Sequence, residues 1–255
     1  MPGKYQDTTT SLDQAYWLLD QAHESSLILR LLGGLAFYIH CPDYNSIQIE
    51  SGRTFSDADF IARYDSRREV HELFAAAGYV SERSIDEVPG IKRSIFTHPS
   101  LQWRSDVFYD TLEFCHDIPL QDRLEVDYPT ISLADLLLSK MQIVRINDKD
   151  LLDTLMLLRE HPIGKSDRET INADYIASTL RNDWGLWKTT TTNLVQAAAT
   201  MDQHPVLTDG DQQDIAAKIY RLLHRIEQEP PGNVWRLRSA VGERMKWYRE
   251  VDEIF

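Results

Sequence analysis

Two aspartates one residue apart, Asp57 and Asp59, are the side chains of this sequence best placed to do chemistry. On a β-strand successive side chains alternate faces, so the two carboxylates of such a pair point the same way. Like charges held this close repel, and a cation set between them removes that cost. Mg²⁺ suits the role, because it takes hard oxygen ligands and keeps room for phosphate oxygens. Alone, the pair is equally compatible with two solvated carboxylates on an edge strand.

Upstream lies Leu31-Leu32-Gly33-Gly34-Leu35-Ala36, where two glycines separate an apolar strand pattern from an apolar helix pattern. Glycines at such a junction let the backbone come close to a ligand. The start of the following helix offers free N–H groups to a phosphate. Gly33-Gly34 followed by Arg53-Thr54-Phe55-Ser56-Asp57-Ala58-Asp59-Phe60 resembles the glycine pair and DxD of the DNA polymerase β-like nucleotidyltransferase superfamily. More narrowly, it resembles the AbiEii-type toxins and the minimal nucleotidyltransferases. The residue between the acids is more often aliphatic and β-branched in these families; here it is Ala58.

The resemblance implies a third carboxylate on a later strand. Asp106, central in Trp103-Arg104-Ser105-Asp106-Val107-Phe108-Tyr109-Asp110, is the candidate, and Asp110, nearer a turn, is its competitor. The block Leu136 to Ile143 containing Lys140, followed by Asn147-Asp148-Lys149-Asp150-Leu151-Leu152-Asp153, is similar to the helical lysine and Lys-Asp pattern of the AbiEii-type proteins. Lys140 shares a helical stripe with Leu133, Leu136, Leu137 and Val144, so its ammonium either snorkels outward or meets negative charge. The reading favours the Asp57 and Asp59 site, or a bound triphosphate, as that charge. Asp150 and Asp153, three residues apart on one helix face, would orient Lys140 or be solvated.

The activity implied by the resemblance is metal-dependent transfer of a nucleotidyl group from an NTP to an acceptor, RNA or protein, in the manner of a toxin. Two Mg²⁺ ions would serve it with substrate bound, held by Asp57, Asp59 and Asp106. Asp106 would also act as general base. Gly33 and Gly34 would give backbone donors to the phosphates, and Arg53 and Lys140 would neutralise developing charge. The competing reading is a catalytically weak relative that binds a nucleotide or a partner protein.

The elements that must position these residues follow from periodicity. Strands are expected at 27–32, 57–63, 91–98 and 102–109, and the segment 119–132 reads as irregular. Ser11 with Gln14 marks a capping box for a first helix, and 35–41 is helical up to Pro42. Ser66 with Glu69 opens a helix that ends at Gly78. Ser132 caps a helix running to about Asn147, and Asp148 to Glu160 forms another. Helices are expected at 170–182, 190–201, 211–228 and 234–250, with Pro205 and Pro230-Pro231 between them. The fold class is α+β: a small mixed sheet with flanking helices over 1–160, then a helical bundle over 161–255, divided where Pro162 and Gly164 break the pattern. The active site is expected in the cleft between the two.

Other motifs fail. Gly164-Lys165-Ser166 ends like a Walker A loop, but Arg159 stands where its first glycine belongs. There is no GxSxG or HExxH. Eight histidines are scattered without metal-ligand spacing. Two cysteines, Cys41 and Cys115, form no CxxC and read as free core thiols. A net charge of −13 opposes extended contact with DNA or RNA backbones, though not a small local site. No apolar run reaches the ~18 residues of a membrane span. Met1 to Thr8 lack the apolar core of a secretion signal, so a cytoplasmic location is expected.

Overall fold

The structure, a computed structural model, describes residues 4–50, 52, 55, 57–83, 90–101 and 103–251. Its chain divides into two compact units. The first takes in Met1–Ile39, Gln48–Glu113 and Ile118–Ser132; the second takes in His40–Ile47, Phe114–Asp117 and Leu133–Phe255. The fold is α+β, with a small mixed sheet flanked by helices followed by a mainly helical part.

The first unit carries α1 (Lys4–Glu24), β1 (Leu29–Leu32), α2 (Gly33–His40), α3 (Ser46–Glu50), β2 (Asp57–Ala62), α4 (Arg67–Ala76), β3 (Val80–Ser81), β4 (Arg93–His98) and β5 (Trp103–Tyr109). Some of these helices end just inside the second unit. The strands form one sheet in the order β1-β2-β5-β4-β3. Only β2 and β5 run parallel; the other neighbours are antiparallel. A parallel pair needs a crossover, and here α4, β3 and β4 supply it.

Register sorts the side chains onto two faces. Phe60, Val107, Ser94 and Phe96 lie on one face, where α4 is seated by aromatic packing. Phe74 of α4 stacks on Phe96 at 4.3 Å between centroids and meets Phe60 edge-on at 5.9 Å. His71 hydrogen-bonds Ser94 Oγ through Nε2 at 2.8 Å, and Tyr109 Oη donates to the same oxygen. The opposite face receives Asp57, Asp59, Arg104 and Asp106.

The second unit contains short strands and most of the helices. The two-stranded pair of β6 (Thr111–Glu113) and β7 (Asp117–Pro119) belongs mainly to the first unit, and the second unit continues with α5 (Leu133–Met141) and α6 (Asp148–Glu160). Next come β8 (Ile163–Gly164) and β9 (Ile171–Asn172), which pair in parallel, then α7 (Ala173–Leu180), α8 (Trp184–Thr200), α9 (Asp209–Gln228) and α10 (Asn233–Val241). Every residue of α5 is buried, as a helix at the centre of a bundle must be. Asn193 of α8 donates to Met141 O and Ile143 O, which closes the end of α5. Trp184–Trp247 and Trp187–Trp235 pairs tie the late segments together.

Several boundaries differ from the sequence reading. The units divide at Ser132 and Leu133, not near 160: the Pro162 and Gly164 break marks only the two-residue strand β8, inside the helical unit. Ser11 does not start α1; it lies within it, and its hydroxyl donates to Phe55 O at 2.6 Å. The helix after Ser132 stops at Met141 instead of Asn147, while Asn147 caps α6 by accepting the Asp150 N–H. Ser66 precedes α4 without a side-chain cap bond. Gly78, at φ +87°, ends that helix as expected. Both cysteines are free and buried. Among the described residues no helix is long and apolar enough to cross a membrane.

Helix α9 opens with a reciprocal capping box: Thr208 Oγ accepts the Asp211 N–H, and the Asp211 carboxylate accepts the Thr208 N–H. Arg159 at the end of α6 donates to the same carboxylate. That bond first, then Thr208, lowers Asp211 from 3.8 to about 2. A carboxyl with a depressed folded-state pKa adds stability that is complete above its unfolded value and lost as pH falls through the folded one. Acid titration of the melting temperature is therefore expected to show a loss between about pH 4 and pH 2. Asp211→Asn should lower stability at neutral pH and flatten that loss, checked by calorimetry across the range.

Candidate functional site

The acidic face of the sheet is built by pairing. Asp57 lies opposite Arg104, and Asp59 opposite Asp106, across the parallel β2–β5 pair. Directly opposed residues share a face, so the three carboxylates and Arg104 project from the same side. Arg93 and Ile95 of β4, opposite Phe108 and Asp106, join them. Asp57 is exposed, Asp59 half-buried and Asp106 buried.

The glycine turn lies against this face. Gly33 opens α2 at φ +73°, in the left-handed region. A Cβ there would lie 3.2 Å from Cβ and Cγ of Asp59, and closer still to Oδ2. Leu32, just before it, is the register partner of Asp59, so strand pairing and turn fix the same contact. Gly34 continues the helix and its carbonyl accepts from Gln48 Nε2 at 3.4 Å. Arg53, expected to bind nucleotide, lies outside the described residues.

Asp106 does not stand alone. Arg93 Nη2 donates to Oδ2, and Arg104 Nε donates to Oδ1 at 3.4 Å. The Arg93 guanidinium also sits 5.0 Å from the centroid of the Phe108 ring. The competitor Asp110 is a turn residue at φ +58°, whose carboxylate accepts the Tyr64 N–H at 3.1 Å. Among the described residues no group of three or more His, Cys, Asp or Glu side chains is gathered tightly enough to hold a metal ion. Asp59 and Asp106 are Cα partners, yet the Asp106 oxygens are engaged by guanidinium groups.

Arg93 and Arg104 were not singled out by sequence. Arg104 carries a local signal, since a residue two before Asp106 shares its face. Arg93 carries none, because its meeting with Asp106 depends on β4–β5 register.

Lys140 belongs to the helical unit. It is buried, and its ammonium pairs with Asp150 and, at 3.1 Å, with Asp153, both on α6. Snorkelling is thereby excluded. The sequence looked first to Asp57 and Asp59 for the compensating charge; the structure supplies it from Asp150 and Asp153, the pair the sequence offered as orienting Lys140. Asp153 is fully buried, so the pair is a charge bond inside the helical packing.

No protein-family model matches the chain, and no curated protein matches it in sequence. Among solved structures it is similar to the antibiotic-resistance factor ANT(2'')-Ia, with TM-score 0.39 and 11% identity, over 78% of this chain and 98% of that one. It is also similar to a tRNA nucleotidyltransferase solved with a primer tRNA and an incoming ATP analog, with TM-score 0.30 and 16% identity, over 88% of this chain and 68% of that one.

Gly33→Ala is expected to disturb the acidic face, because the residue combines a positive φ with a Cβ directed into Asp59. The loss should be about 1–3 kcal/mol by thermal melting, with a matching Gly34→Ala change milder. Lys140→Met should lower stability by about 3–5 kcal/mol, since it strands the buried Asp153 carboxylate. Adding Asp153→Leu to that variant should recover a large part of the loss, read in the same melts.

Proposed function

We propose that the chain is a metal-dependent nucleotidyltransferase that moves a nucleotidyl group from an NTP to an acceptor. The observation that carries this reading is the contact between the Gly33 turn and the Asp59 carboxylate, on a face shared with Asp57. With the start of α2 against Asp59, phosphate oxygens and a hard cation would be received together on this face.

The residues present fit Mg²⁺ at Asp57 and Asp59. Both offer hard oxygen donors from one face, and the absent Cβ of Gly33 leaves room for the Asp59 carboxylate beside the turn. These two would hold the ion. When bound, it would shield the phosphates from the carboxylates and stabilise charge on the departing pyrophosphate. Asp106 is the proposed third ligand and general base, a role that requires it to give up at least one arginine.

The chain's own groups would do the rest. Backbone N–H groups at Gly33 and Gly34 would orient the triphosphate and keep its charge from drifting along the face. Arg104, opposite Asp57, would offset phosphate charge. Lys140 is left out of this set, because its ammonium is committed to Asp150 and Asp153. The acceptor is proposed to be a protein or a short RNA segment, since a net charge of −13 disfavours long nucleic-acid tracks. A toxin-like role would be one use of such an activity.

One observation favours a second reading. Asp106 held by two arginines is the arrangement expected of a relative that binds nucleotide without turnover. Incubation with each labelled NTP, Mg²⁺ and cell extract separates the two: label transferred to a macromolecule supports the enzyme, and NTP binding without transfer supports the binder.

Asp57→Ala and Asp59→Ala are each expected to weaken Mg²⁺-dependent NTP binding by about 10–100-fold or more. The melting temperature of Asp57→Ala should be unchanged or raised, because one of two repelling charges is removed. Calorimetric titration with melting curves tests this, and unaltered affinity in both variants would refute the metal site.

A further inference from the structure

Arg93 makes incomplete use of its donors. It gives one hydrogen bond to Asp106, through Nη2, and its Nε is buried with no hydrogen-bond partner among the described residues. A guanidinium fork reaches its best pairing with a carboxylate through two parallel bonds, and this pair does not form that arrangement. The Arg93 side chain is also more open than its partner, 28% exposed against 12%. Stacking on Phe108 keeps the guanidinium over the acidic face when the hydrogen bond is exchanged. The remaining contact to Asp106, from Arg104, is long at 3.4 Å.

From this geometry, and resting on the nucleotidyl-transfer reading above, we propose that Arg93 is a positioning residue that keeps Asp106 out of the metal set until a nucleotide is bound. In the free protein, Arg93 occupies the oxygen of Asp106 that would otherwise serve as a ligand. A nucleoside triphosphate brings phosphate oxygens that match the unused donors of Arg93 better than one carboxylate oxygen does. Arg93 moves to the triphosphate, and Asp106 is left to complete the acidic set with Asp57 and Asp59. No covalent bond changes in this exchange; one ion pair replaces another. Cation without nucleotide is then held by two carboxylates instead of three, which couples metal affinity to substrate.

The measurement is Mn²⁺ affinity by electron paramagnetic resonance, with and without a non-hydrolysable NTP analogue. Wild type, Arg93→Met, Arg93→Gln, Arg93→Lys and Arg93→Met/Asp106→Asn are compared, with melting curves for each. Without nucleotide, Arg93→Met or Arg93→Gln should bind Mn²⁺ about 10–100-fold more tightly than wild type. Arg93→Lys should stay near wild type. The analogue should raise Mn²⁺ affinity strongly in wild type and little in Arg93→Met. The tightening should vanish in the double variant, since it works through Asp106. Two neutral variants are used so that a folding failure in one leaves the other to decide.

Unchanged or weaker Mn²⁺ binding in the folded neutral variants overturns the inference, as does tightening that persists without Asp106. Asp57→Ala, measured alongside, separates this failure from a broader one. If wild type binds Mn²⁺ and analogue in an Asp57-dependent way while Arg93 substitutions change nothing, the nucleotidyl-transfer reading stands and the Arg93 role falls. If Asp57→Ala has no effect, both fall.

Discussion

The sheet unit depends on one close approach, the Gly33 backbone against the Asp59 carboxylate. The chain leaves β1 and enters α2 within a single residue, and only a residue without Cβ fits there at positive φ. Leu32 is at the same time the strand partner of Asp59. A one-residue slip between β1 and β2 would turn every side chain of β2 to the other face and replace Asp59 at the turn. The glycine and the register therefore specify each other, and the orientation of both carboxylates follows.

Charge is managed differently in the two units. On the sheet, acids and arginines alternate across a partly open face, where water screens them and partners can exchange. In the helical unit, Lys140 and Asp153 are enclosed among leucines, with Asp150 as a second partner of the ammonium, so these charges are fixed against one another. The first arrangement suits a site that must accept a charged ligand. The second suits a fixed contact that selects how α5 meets α6.

Much of the sheet was legible in the sequence, because strand patterning and the glycine turn are local. Asp57 and Asp59 read directly as a same-face pair, and Gly33-Gly34 as a strand-to-helix junction. The Asp148 to Glu160 helix was also readable, although Asn147, read as the end of the preceding helix, is in fact its cap. What escaped depends on contacts between distant segments. Lys140 was recognised as needing negative charge, but local pattern cannot rank Asp150 and Asp153 against Asp57 and Asp59. Arg93 reaches Asp106 only through β4–β5 pairing. The division at Leu133 was hidden because α5 is buried on every side, and its pattern looks the same against a sheet as against helices.

The lone parallel pair in the sheet has a consequence for the order in which the molecule is made. Asp57 and Asp59 can settle beside Gly33 as soon as β1, α2 and β2 are in place, since these follow one another closely along the chain. Asp106 joins only after the chain has run through α4, β3 and β4 and returned, a contact of much higher sequence separation. Such contacts carry a larger loop-closure cost and form late. During synthesis, the two-carboxylate half of the face can exist before its third member and the arginines beside it have been translated. A nascent chain would then present the Asp57 and Asp59 pair before the Asp106–arginine cluster has formed beside it.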